Sequence, residues 1–374
     1  MRALHLFSNS KWTGPAEPAL NLCVQLRALG LETAFACAAG PSRNLNKVAE
    51  TARDLGVDPI LHLGLHKHRH PLRDVSARRA LARHLDNHPV DIIHCHLDND
   101  HEVTLGPAAK RGIPIVRSSY HGIGFPAGRR HARLLHGAAM TIEPSRIALE
   151  HDARVHGVAA EKLRVVPNAV DVHRFDPARE TPDGRRWLNL PRDAFVLGIV
   201  ARMQTHRHFE DLFQALRKLL EECPNVHVIV VGRGTKQEQV ALQPVRDAGL
   251  ESHVHFSGYI EGENYVGMLR GFDAGIFLVP GSDGTCRAAR EIMAMGKPLV
   301  VADRGMLREI VTHEEDGLVC DGSVEGLCDA VVRLAKDRAG RVGLGQAARA
   351  KAASRYSLEH QAREVLAVYE AVLA

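Results

Sequence analysis

Short apolar runs alternate with stretches of helical periodicity along almost all of this 374-residue chain, and they do so in two successive series. The first series of strand-like runs is Arg2–Ser8, Glu32–Ala38, Pro59–Leu63, Val90–His96, Ile113–Ser119, Ala139–Glu143 and Lys162–Val166. The second is Ala194–Ala201, Asn225–Gly232, Val254–Ser257, Ala274–Val279, Pro298–Ala302 and Gly317–Cys320. Between them lie segments such as Glu210–Glu222, where Leu212, Leu216 and Leu219 recur at helical spacing. Continuous apolar strands alternating with helices predict α/β architecture with parallel sheets covered on both faces. The length accommodates two domains. The stretch between the series, residues 167–193, is rich in Pro, Asp and Arg and lacks periodicity, as a linker would. The expected division is 1–170, 171–355, and a final amphipathic helix in 356–374.

Charge sharpens that division. The net charge is +4, yet residues 1–170 carry 22 Lys and Arg against 15 Asp and Glu, and the remainder carries 26 against 29. The halves are therefore +7 and −3, which suggests different partners. Seven scattered cysteines without a C-x-x-C pair fit free thiols in a reducing compartment. No apolar run is long enough to span a bilayer, and the N-terminal stretch turns polar after Phe7, unlike a secretory signal. The expectation is a cytoplasmic protein, with peripheral contact to the inner face of the cytoplasmic membrane through its basic half.

In a doubly wound sheet, ligands bind beyond the carboxyl ends of the strands. The richest such place is GSDGTCRAAREIMAMGKPLVVAD, residues 281–303. A strand ends near Pro280, a loop of small residues follows, and a helix is expected from about Gly284. Asp283 stands at the N-cap position and Glu291 lies eight residues on. At the helical rise these carboxylates are roughly 12 Å apart along the axis. A glycosidase pair needs about 5–10 Å. The spacing suits two contacts on one long ligand, with an anion at the helix N-terminus between them. An ordinary capped helix with a solvated Glu has the same spacing.

An acidic residue, seven others, then Glu, followed by Ala294-Met-Gly296-Lys297-Pro298-Leu-Val-Val, resembles the E-x7-E signature of retaining GT-B glycosyltransferases of the GT4 type, the glycosyl transferases group 1. Further likenesses fall in order. Pro167–Asp171 (PNAVD) resembles the P-N-G-V-D of the domain junction. Ala201-Arg202, with Arg207 five residues on, resembles G-R-x4-K after the first strand of the second domain. Val231-Gly232-Arg233-Gly234 resembles the V-G-x-G turn. Asp91–His96 (DIIHCH) and His121-Gly122 match the first domain's strand-end histidines.

The resemblance implies two Rossmann-like doubly wound domains facing a central cleft, with the C-terminal helix crossing back to the first. It implies sugar transfer from a nucleoside-diphosphate sugar, of UDP or GDP type, to a glycan or lipid-linked acceptor with retention of configuration and no metal or other cofactor. Arg202 and Arg207 would bind the diphosphate as it leaves, since cations stabilise the charge that grows there. His121 and Asp283 would contact the donor sugar. Glu291 would hold the ribose hydroxyls. Gly14, Gly232, Gly284, Thr285, Cys286 and Arg287 would complete the nucleotide-sugar site. Departures from the pattern are Asp283 for Glu, Arg207 for Lys, His208 and Ala169 for Gly, and Thr13-Gly14-Pro15 for a Gly-Gly turn, and those at Asp283, Ala169 and His208 leave a non-catalytic nucleotide-sugar binder as the alternative.

Other chemistries leave weaker traces. Gly232-x-Gly234 could open a dinucleotide fingerprint, but its third glycine position is Gln237. The run His94-Cys-His96-Leu-Asp98-Asn-Asp100-His101 resembles the H-x-H-x-D-H motif of metal-dependent hydrolases, with Asn99 where a histidine belongs. Strand alternation would point His94 and His96 to one side. A buried strand ending in polar loop residues reads the same way. Residues 66–88 and 128–136 are basic, as either solvated helix faces or attraction to an anionic acceptor or membrane surface. Few aromatics and no recognisable motif argue against nucleic acid.

Overall fold

The computed structural model describes residues 1–40, 46–280 and 286–374. The chain forms two compact units, Met1–Ala169 with Leu358–Ala374, and Val170–Ser357.

The first unit holds β1 (Arg2–Phe7), β2 (Glu32–Cys37), β3 (Ile92–Cys95), β4 (Ile115–Ser118), β5 (Met140–Glu143) and β6 (Leu163–Val165), in spatial order β2-β1-β3-β4-β5-β6. The second holds β7 (Phe195–Val200), β8 (Val226–Val231), β9 (Val254–Gly258), β10 (Ala274–Phe277), β11 (Leu299–Ala302) and β12 (Gly317–Cys320), in order β12-β11-β10-β7-β8-β9. Every pairing within both sheets is parallel. Each is thus a doubly wound Rossmann-like sheet.

Partners in a parallel register share a face. In the first sheet, Ala3, Ile92, Val116 and Ile142 pack on one face against Leu22 and Leu26 of the Ala16–Ala28 helix and Val365 and Val368 of the Leu358–Leu373 helix. Leu4, Leu6, Ile93 and Cys95 pack on the other against Ala77 and Leu81 of the Pro71–Asn87 helix. The last helix therefore closes the sheet formed by the first 169 residues. In the second unit the Phe209–Glu222 helix buries Phe209, Leu212, Phe213, Leu216 and Leu219, the stripe that its apolar spacing foretells.

One expected strand is absent. Pro59–Leu63 shrinks to a single bridge between Ile60 and Ala36. Pro59 has no N–H to donate, and Leu61–Gly64 turns away from the edge of β2.

Strand order reverses between β1 and β3 in one sheet and between β7 and β10 in the other. Crossovers leave opposite faces at these points, so the loops beyond them splay apart and open a crevice.

Candidate functional site

The switch point of the second sheet gathers most of the candidate residues. Arg202 is exposed in the loop after β7. Arg207 follows in the same loop, 5% exposed, and donates from Nη1 to the carbonyl of Pro280 at 2.8 Å. This bond joins the loop after β7 to the loop after β10 and holds a permanent cation beside the switch point. His208 has φ +57, the left-handed region that Gly adopts freely, which accounts physically for the Gly usual there. Its ring Nδ1 lies 3.0 Å from Asp211 Oδ2.

Gly232 and Gly234 are demanded by sterics. A Cβ on Gly232 would sit 2.3 Å from the Ala201 carbonyl oxygen, and one on Gly234 would sit 2.0 Å from that of Met203. The glycines let the loop after β8 lie against the backbone beside Arg202.

The helix of the acidic signature spans Arg287–Ala294. It therefore starts later than Gly284, because Cys286 before it takes φ +48 and breaks the helical path. Asp283, Gly284 and Thr285 lie outside the described residues. The Cys286 side chain is buried in the core with Ala289 and Ile292, away from solvent. Glu291 is 5% exposed and fixed from two sides. The Tyr265 hydroxyl donates to Oε2, and Arg287 Nε lies 3.4 Å from Oε1. Burial, and then the Glu291 charge, push the Tyr265 phenol well above its usual pKa, so it stays a donor. Arg290, the residue before Glu291, is fully buried over the Tyr356 ring at 4.9 Å. The helix ends at Gly296, φ +69, with Lys297 N–H returning to the Ile292 carbonyl.

In the first unit, Gly14 lies in the turn leading from β1 into the Ala16–Ala28 helix. His121 is exposed in the loop after β4, its ring 4.9 Å from Phe125. Partial desolvation of the ring, and then the Arg117 guanidinium, hold its pKa below the usual value.

The metal-hydrolase constellation does not assemble. His94 and His96 do point to one side, but Asp98 begins a helix and turns to the opposite face, 2.9 Å from Arg117 Nη2 and 3.2 Å from His131 Nε2. His5 on β1 takes the third place beside the two histidines. The His94 and His96 rings stack, 4.4 Å apart at 8°, and His5 lies within 5.3 Å of both, its Nδ1 3.1 Å from His96 Nε2. A metal must lie near the plane of every imidazole that binds it, and near-parallel stacked rings share no such point. Each ring nitrogen instead has a hydrogen-bond neighbour.

Sequence reasoning missed His5, Tyr265 and Arg349. Arg349 bonds to the carbonyls of Val172, Phe175 and Ala294, tying the start of the second unit to the end of the signature helix. None has a local signal, since each acts across more than 25 positions.

Comparison with known proteins places the chain in a family. Residues 13–174 match the family described as Glycosyltransferase Family 4, and residues 181–351 match Glycosyl transferases group 1. The D-inositol 3-phosphate glycosyltransferase of Corynebacterium jeikeium is 30% identical over 218 residues, 56% of this chain and 51% of that protein. The chain spans about half the length of the first curated relatives it matches. A glycosyltransferase from Rickettsia africae shares the fold with a TM-score of 0.83 at 15% identity, over 100% of this chain and 98% of that one. Anabaena HepE, solved with UDP-glucose, has a TM-score of 0.74 at 19% identity, over 98% and 100%. With two family matches in chain order and a shared fold, the chain belongs to the GT-B glycosyltransferases of the GT4 type, the glycosyl transferases group 1.

Proposed function

We propose that the protein transfers a glycosyl group from a nucleoside-diphosphate sugar to a glycan or lipid-linked acceptor, with retention and without a metal ion. The second unit binds the donor and the basic first unit the acceptor. The observation that carries this reading is the bond from Arg207 to Pro280, which brings a buried cation and the segment leading to Glu291 to one topological switch point. Glu291 takes the ribose hydroxyls, and Arg202 and Arg207 take the diphosphate. HepE was solved with UDP-glucose, so uridine donors are the first to try.

Chemically, the acceptor oxygen bonds to the anomeric carbon on the face from which the diphosphate leaves. The bond from that carbon to the phosphate oxygen breaks. The acceptor proton passes to the departing phosphate, whose charge Arg202 and Arg207 offset. His121 and Asp283 orient the sugar.

A thermal-shift panel of UDP, GDP, ADP and their sugars identifies the donor, since a ligand of the folded state raises the melting temperature with its excess over Kd. Calorimetry then tests Glu291→Ala, which should abolish donor binding. Transfer assays with and without EDTA, read by NMR at the new anomeric centre, test retention and metal independence. Unchanged donor affinity in Glu291→Ala would overturn the assignment.

A further inference from the structure

We infer that the segment Lys67–Arg83 docks the protein on an anionic lipid bilayer, with Leu72 as its apolar wedge. The segment carries six cations: Lys67, Arg69, Arg73, Arg78, Arg79 and Arg83. Among the described residues, none of the six pairs with a carboxylate within salt-bridge distance. Its one acid, Asp74, is 3% exposed and turned inward, beside His66 Nε2 at 2.9 Å and accepting from the His70 N–H at 3.2 Å.

The Pro71–Asn87 helix explains why Arg79 and Arg83 face outward together with Leu72. Ala77, Leu81, His84 and Leu85 are buried along one side. At 100° per residue, the opposite side carries Leu72, Val75, Arg79 and Arg83. Leu72 is 79% exposed and Val75 42%. From Leu72 to Arg83 this face runs about 16 Å. Asp86, on the same side in the last turn, is neutralised by Arg111 at 2.6 Å. Arg79 and Arg83, without a carboxylate partner among the described residues, beside a protruding leucine suit anionic headgroups over acyl chains. A soluble polyanion would use the charges and leave Leu72 without a role.

The other basic segment, residues 128–136, behaves differently. Arg130 and Arg133 both pair with the buried Glu102, and His131 lies against Asp98. Two of its three arginines are thus neutralised, and only Arg129, exposed and without an apolar neighbour on a helix face of its own, is left without a carboxylate partner among the described residues. Asn99, one residue into the helix after β3, donates to the His66 carbonyl at 2.7 Å, so the docking segment is fixed to the carboxyl edge of the first sheet. A bilayer held there lies against the unit to which the Proposed function assigns the acceptor.

Co-sedimentation of the full chain with vesicles tests this without donor or acceptor. Phosphatidylcholine vesicles containing 40% phosphatidylglycerol should bind it, and pure phosphatidylcholine should not. Each basic residue at such a surface contributes about fivefold. The triple variant Arg69→Gln, Arg73→Gln, Arg79→Gln should therefore weaken binding roughly 100-fold. Leu72→Ser should weaken vesicle binding while leaving heparin binding unchanged, and Arg129→Gln should weaken neither. Absence of binding to anionic vesicles overturns the inference, as does equal binding by Leu72→Ser. Donor calorimetry on the same variants separates this outcome from failure of the transferase reading, because none of these residues belongs to the donor site.

Discussion

Tyr369, in the penultimate turn of the last helix, places its hydroxyl 2.5 Å from His94 Nδ1 on β3. The same oxygen lies 3.3 Å from His5 Nε2. From there the contacts run on through His5 Nδ1 to His96 Nε2 at 3.1 Å and His96 Nδ1 to the Tyr120 hydroxyl at 2.8 Å. At the other end His94 Nε2 meets Ser118 Oγ at 2.8 Å. The result is one unbranched chain of six side chains. If each neutral imidazole donates once and accepts once, every link can be satisfied in a single direction. The chain ends at Tyr120, the residue before His121, so the last helix is linked by hydrogen bonds to the loop that presents the first unit's candidate histidine.

Tyr369→Phe should test the weight of that link. It leaves a donor or acceptor unsatisfied on both His94 and His5, which are fully buried. A loss of about 1–3 kcal/mol follows for an orphaned buried polar group. Urea unfolding followed at two wavelengths measures it. A loss under half a kilocalorie would show that water replaces the hydroxyl.

Acid should destabilise the first unit through the same residues. Burial is the main cause lowering all three imidazole pKa values, His5 to about 3, with neighbouring imidazoles and Arg117 adding for His94, His5 and Arg117 for His96, and Arg27 for His5. His101, also buried, is lowered to about 3. The unfolded chain takes up these protons below pH 6.5 and the fold does not. Stability is therefore intact above pH 6.5 and falls as pH drops toward the folded values, by about 1.4 kcal/mol per unit for each histidine. Urea midpoints at pH 7 and pH 5 decide it; equal midpoints would refute neutral burial.

Glu143, at the end of β5, should have the opposite effect. It is fully buried, and desolvation, then the Asp152 charge, raise its pKa well above 4.5. The fold keeps it protonated where the unfolded chain ionises it. Its contribution is complete below pH 4.5 and is lost as pH rises toward the folded value. Glu143→Gln should gain stability relative to the parent between pH 5 and pH 8. A difference that stays constant across that range would mean the carboxyl is ionised in the fold.

The strands and the Leu358–Leu373 helix were legible because continuous apolar runs and a 3.6-residue stripe are local signals that burial enforces. Pro59–Leu63 carries the same apolar signal, yet a strand also needs a partner for its N–H groups, and only Ile60 finds one. Alternation correctly put His94 and His96 on one side, but it stops where the strand does, so Asp98 could not be placed by it. His5 and Tyr369 could not be read at all: they meet across 364 positions, and only the docking of the last helix on the face of the sheet that carries His5 makes them neighbours. The glycines of Val231–Gly234 were visible as a pattern, while their cause, carbonyls of another loop, was not.

Tyr265→Phe offers a graded test of the donor site. The hydroxyl fixes one Glu291 oxygen while Arg287 flanks the other. If Glu291 binds ribose, it contributes equally to bound donor and transition state, so its loss should raise donor KM and spare kcat. Glu291→Gln removes a charge-assisted acceptor worth about 1.5–3 kcal/mol, a KM increase of roughly 10- to 150-fold. Tyr265→Phe keeps the charge and frees the carboxylate to turn, so its KM should rise less, in the same direction, with kcat unchanged. Steady-state kinetics with the donor identified by thermal shift give both constants. A collapse of kcat at unchanged KM in either variant would move Glu291 from the ribose to the reacting centre.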